Sequence, residues 1–174
     1  TALDDALTQR MMWNGRVAAT LRVGHAGNFL AAHVWVADPE PVRREPFFVG
    51  STFELFATRE GGGEIGQVVF LPPVDGAQKR AMVLRRAEIQ RDSHAVWQWT
   101  PSEAGYDIVA LIPLEELAVT ATDQRFRLEA SVSLAPTDRE TPRHASLSGE
   151  FNVYQTSRYF TPVTVDSQGK ETIT

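Results

Sequence analysis

The chain has 174 residues, 43% of them hydrophobic and 22% charged, with a formal net charge of -5 and no cysteine. That size and composition predict one folded domain able to bury a core. The acidic balance argues against nucleic acid as a default partner, since phosphate binding needs a concentrated positive patch, and the lack of cysteine excludes disulfides, zinc–thiolate sites and thiol catalysis.

No apolar run approaches the roughly 20 residues of a membrane span. The chain begins at Thr1, which reads as the start of a mature or excised segment of a longer protein. Residues 1–15 read as an N-terminal extension. From there period-two alternation recurs. "RVAATLRV" (16–23), a Gly/Asn loop and "FLAAHVWVAD" (29–38) form a hairpin signal. The second run places Leu30, Ala32, Val34 and Val36 on one face and Phe29, Ala31, His33 and Trp35 on the other. "PEPVRREPFF" (39–48) carries three prolines and reads as a long loop.

"STFELFAT" and "QVVFL", joined across "REGGGEIG", predict a second hairpin. "AMVLRRAEIQ" (81–90) fits a helix or a strand. "AVWQWT" (95–100) and "YDIVALIP" (106–113) read as strands, and "LEELAV" (114–119) as a short helical turn. In "QRFRLEASVSLAP" (124–136), Phe126, Leu128, Ala130, Val132 and Leu134 point inward, while Arg127, Glu129, Ser131 and Ser133 point out. "TDRETPRHASLSGE" (137–150) reads as a loop, "YFTPVTV" (159–165) as a last strand, and 166–174 as a loosely held tail. Residues 16–165 thus form a single all-β domain, an antiparallel β-sandwich of jelly-roll or immunoglobulin-like type with about eight to ten strands.

Four segments carry a resemblance. "HVWVAD" (33–38), "STFELF" (51–56), "GYDIVALIPLEEL" (105–117) and "RFRLEASVSL" (125–134) occur in this order. Together they resemble the family-9 carbohydrate-binding modules and the wider DOMON-like sandwiches. The resemblance spans roughly residues 16–165. Ser51 or Thr52 stands where the family pattern has an Asp before the Glu strand, and Val109 stands where it has a Glu after Gly-Tyr. The resemblance implies a non-catalytic module that binds an oligo- or polysaccharide. It would be appended to neighbouring domains of an exported, bacterial, glycan-active protein, in an extracellular or periplasmic setting.

Sugars stack their C–H faces on aromatic rings and are read by planar polar side chains. Trp97 and Trp99 share one strand face and are either core or a stacking platform. Trp35 and His33 share another face, and Glu54 supplies a carboxylate beside an alternating strand. Arg158 and Tyr159, with Tyr154 and Gln155, are placed at the site by the resemblance alone. Phe47 and Phe48, after the proline loop, cap the core or form an exposed lip. Asp38, Glu40 and Asp138 are loop carboxylates that suit a calcium ion. Met11, Met12 and Met82 lack the spacing of a haem ligand pair and read as core.

No catalytic pattern emerges. Glu54, Asp107, Glu115 and Glu116 do not pair readably for glycoside hydrolysis, and Glu115 and Glu116 sit in a turn where acids are usually solvated. His25, His33, His94 and His144 lack the spacing of a helical metal motif. A structural or protein-interaction sandwich is the competing reading.

Overall fold

The structure, a computed structural model, describes residues 8–134, 143–150, 156–165 and 171–173. Its strands are β1 Gln9–Trp13, β2 Arg16–Ala26, β3 Phe29–Val36, β4 Thr52–Arg59, β5 Gly66–Leu71, β6 Arg80–Arg85, β7 Glu88–Asp92, β8 Val96–Pro101, β9 Tyr106–Pro113, β10 Arg125–Leu134, β11 Arg143–Ser146, β12 Thr161–Val165 and β13 Glu171–Ile173. They form two sheets of antiparallel pairs. The smaller runs β1-β2-β3-β9-β8. The larger runs β13-β12-β10-β4-β5-β6-β7, with β11 pairing the second half of β10. Among the described residues no helix is long and apolar enough to cross a membrane.

Alternation builds the core. Leu21, Val34 and Ile108 are register partners across the smaller sheet and face the larger one. Phe53, Leu55 and Ala57 of β4 meet them, beside Val68 and Phe70 of β5 and Leu128, Ala130 and Val132 of β10. The short helical turn expected near 114–119 is a single 3-10 turn, Leu114–Leu117, whose two leucines are buried in this core. Glycine permits close approach at Gly105, where a Cβ would overlap the Val36 carbonyl oxygen.

Several expectations need correction. Residues 9–13 are not an extension but an edge strand, joined to β2 through Asn14 and Gly15 at φ 48° and 73°. Asn-Gly supplies both positive φ angles of a two-residue hairpin cheaply, so this turn was legible. "AMVLRRAEIQ" is the β6–β7 hairpin, turning at Arg86 and Ala87 with φ 53° and 65°, where no turn residue announces it. Part of "TDRETPRHASLSGE" is strand β11, and residues 171–173 of the presumed tail pair with β12. These strands are too short to show alternation, so partners rather than pattern define them.

Candidate functional site

The pleat that sends Phe53, Leu55 and Ala57 into the core turns Thr52, Glu54, Phe56 and Thr58 to the outer face of the larger sheet. Register places Glu54 between Ser131 of β10 and Val69 of β5, and Phe56 between Glu129 and Gln67. This outer face is itself covered, since β5 is buried at all six positions. Phe47, from the 3-10 turn Phe47–Val49, packs on Val69, Leu71, Met82 and Leu84, while Phe160 and Ile65 pack on Phe56.

Specific bonds hold the proline-rich roof in place. Ser51 Oγ donates to Asp38 Oδ2 at 3.0 Å and accepts from the Val42 amide at 3.0 Å. Arg43 donates to the Pro72 carbonyl at 2.9 Å, and its amide donates to Asp75. Asp38 is therefore buried as a clamp on the loop.

Between these covers lies a cavity of about 660 Å³. Phe48, 58% exposed, stands at its rim edge-on to Phe47 at 5.7 Å. Phe56, Leu84 and Ile89 give it apolar walls, and Glu54, Gln67, Ser131 and His144 give it polar groups. Glu54 is half-buried. Its Oε1 accepts from Gln67 Nε2 at 3.1 Å and its Oε2 from Ser131 Oγ at 3.0 Å. Burial pushes its carboxyl above the ordinary value of 4.5, and these two hydrogen bonds oppose the rise without cancelling it. His144 Nδ1 lies 2.9 Å from Ser133 Oγ, and burial lowers its imidazole below the ordinary 6.5.

The raised carboxyl has a consequence for stability. Native Glu54 binds its proton more tightly than the unfolded chain does, so its contribution is fully present below 4.5 and is lost as pH rises through the folded value. Glu54→Gln keeps the shape and removes the charge. We expect the variant to be more stable than wild type at neutral pH, with the gap closing as pH falls to the unfolded value. Thermal unfolding of both proteins across that range checks this, and a gap independent of pH would contradict it.

Of the residues singled out from sequence, Glu54 lines this cavity. Trp97 does not: it is 8% exposed within the core between the sheets. β8–β9 register pairs Trp97 with Ala110 and Trp99 with Ile108, both inward-facing, which corrects the platform reading of this strand. The Trp97 ring meets Phe70 edge-on at 5.1 Å and carries Lys79 Nζ 4.8 Å from its centroid. Trp99 is half-buried, packed on the core with Tyr106 at 6.0 Å.

Trp35 and His33 lie elsewhere, on the outer face of the smaller sheet. There His33 Nε2 is 2.7 Å from Asp107 Oδ1, and Nδ1 is 2.9 Å from an Arg22 guanidinium nitrogen. Arg158 and Tyr159 are exposed on a turn before β12, stacked at 5.5 Å, and line no part of the cavity. Tyr154, Gln155 and Asp138 lie outside the described residues. Asp38 is committed to the roof and Glu40 is exposed. Among the described residues no three His, Asp or Glu side chains gather as a metal site.

Phe48, Gln67, Ser131 and His144 were not assigned to a site from sequence. The pairing Phe47-Phe48 after a proline loop and the outward Ser131 were visible. Their convergence depends on the β4–β5 and β4–β10 registers, which no local pattern states.

No protein-family model matches the chain, and no curated protein matches it. Solved structures do. A family-9 carbohydrate-binding module from Caldicellulosiruptor kristjanssonii, in complex with cellotriose, is similar at TM-score 0.70 and 12% identity, covering 93% of this chain and 85% of that one. The module from the same organism in complex with glucose gives TM-score 0.65 at 12% identity and the same coverage. A candidate carbohydrate-binding protein from Bacteroides uniformis gives 0.63 at 15% identity, covering 90% and 85%. The fold is therefore the all-β sandwich of the family-9 modules.

Proposed function

We propose that this domain is a non-catalytic carbohydrate-binding module whose site is the cavity on the outer face of the larger sheet. The observation that carries the reading is Glu54, a half-buried carboxylate fixed by Gln67 and Ser131 inside a largely apolar cavity. Pyranose rings have apolar C–H faces and a polar rim. The exposed ring of Phe48 suits the faces, while Glu54, Gln67 and His144 suit the hydroxyls. The cellotriose and glucose bound by the structural neighbours support this ligand class. The module would be appended to an exported glycan-active protein, holding substrate near a catalytic domain.

Titration with cello- and xylo-oligosaccharides tests the reading. We expect saturable binding by wild type, and a loss of about 1.5–3 kcal/mol, tenfold or more in affinity, on Glu54→Ala, as for a hydrogen bond to a charged group. Phe48→Ala should also weaken binding, and its exposed ring keeps that variant folded. A flat titration with folded wild type would overturn the proposal.

A second reading, a sandwich that packs against a neighbouring domain, is favoured by one observation. Val96, Val109 and Leu111 are 71%, 47% and 42% exposed and adjoin one another on the outer face of the smaller sheet. The flat titration would leave that reading standing.

A further inference from the structure

The charged side chains lining the cavity, among the described residues, are all acidic: Glu54, Glu88 and Glu150. Glu54 receives hydrogen bonds from two neutral groups, Gln67 and Ser131. A half-buried carboxylate with neutral partners is costly unless something outside the fold compensates it. The nearby arginines of β6 and β7 turn elsewhere. Arg85 donates to the carbonyls of Leu84, Glu115 and Glu116, and Arg91 pairs with the Glu116 carboxylate at 2.6 Å. Arg143, beside His144 in sequence, stacks 5.2 Å from the Trp13 ring. Partial burial lowers the pKa of the His144 imidazole, away from its charged form.

A ligand entering this cavity therefore meets negative charge and aromatic rings. Neutral sugars are accommodated. Uronic acids and sulfated sugars meet like charge at close range in a partly desolvated site, where repulsion is least screened. An ammonium on a sugar ring meets the opposite situation. It can donate to Glu54 and sit near the exposed ring of Phe48, which attracts cations through its quadrupole.

We propose that this cavity selects glycans that carry a protonated amine, such as glucosamine oligomers, over neutral ones and rejects uronate oligomers. The inference rests on the cavity being the sugar site. It adds the electrostatic selectivity of that site.

Calorimetric titration of the folded domain with tetramers of glucosamine, N-acetylglucosamine, glucose and galacturonic acid tests it. The pH should leave the amine charged and lie above the raised Glu54 carboxyl, so that both partners are ionised. We expect glucosamine tetramer to bind about tenfold tighter than either neutral tetramer, with no detectable uronate binding. Added salt should shrink the preference. The ratio of amino to neutral affinity should also fall toward one in Glu54→Gln combined with Glu88→Gln and Glu150→Gln. Glu88 and Glu150 are exposed and Glu54→Gln is isosteric, so the triple variant should fold. Neutral tetramers binding as tightly as glucosamine would overturn the selectivity and leave the carbohydrate reading intact. A preference that survives the triple substitution would also overturn it. No binding of any tetramer would overturn both.

Discussion

Replacing Trp97 by alanine is expected to lower stability by about 3–5 kcal/mol, the usual cost of emptying a large aromatic site in a core. The site has little room to collapse. The indole fills the space between Ala110 of the neighbouring strand and Phe70 of the opposite sheet, both buried. Truncation also strands Lys79. Its ammonium donates to the Trp97 carbonyl at 2.6 Å and lies over the ring, so removing the ring withdraws the cation–π contact while the backbone bond remains. For a domain of this size the loss corresponds to a fall of roughly 10 °C in Tm. Denaturant unfolding of the variant beside Trp35→Ala is the check. Trp35 is half-buried on the outer face and should cost clearly less. A Trp97 variant within about 1 kcal/mol of wild type would show that the ring is not core.

The second large effect belongs to Glu116, whose side chain is fully buried although it stands in an acidic turn. Its carboxylate accepts from Arg91 at 2.6 Å, from Ser93 Oγ at 2.5 Å and from the His94 amide at 2.9 Å. Three donors converge on one carboxylate. Arg85 ties the same turn through the carbonyls of Glu115 and Glu116. The 3-10 turn is thus latched to the segment between β7 and β8. Glu116→Ala removes the acceptor of the Ser93 hydroxyl and the His94 amide, both at the edge of the core, and releases a guanidinium, for an expected cost of about 3 kcal/mol. The Arg91 side chain is 39% exposed, so water can recover part of its solvation, which places the estimate at the lower end of the range for broken buried pairs. Glu115→Ala is the control, being 76% exposed. It should change stability by less than about 0.5 kcal/mol. Equal effects at the two positions would refute the latch.

Glu116 also marks a limit of sequence reading. Two adjacent acids after Ile112 and Pro113 look alike in one dimension, and both were expected to be solvated. A 3-10 turn separates their side chains by about a third of a turn, so one faces solvent and the other the β7–β8 segment. Trp97 and Trp99 posed the same problem. Alternation puts them together on one face of β8, and only the pairing with Ala110 and Ile108 shows that this face is the inner one.

The amino-acid sequence by itself determined the class of fold. Period-two alternation in β2, β3, β4, β9 and β10, glycine and proline between the runs, and the absence of helical periodicity together require sheets that bury one face. It also determined the inward set Phe126, Leu128, Ala130 and Val132, all of which are buried, whereas for Leu30, Ala32, Val34 and Val36 it set a shared face but not its direction. The tertiary structure alone decided where the candidate site lies. The outer face of the larger sheet is covered because residues far apart in the chain, Phe47 and Phe160, fold over it. Glu54 meets Ser131, 77 residues away, through strand register. Alternation is a local property of a strand, whereas register and roof are set by contacts between distant segments.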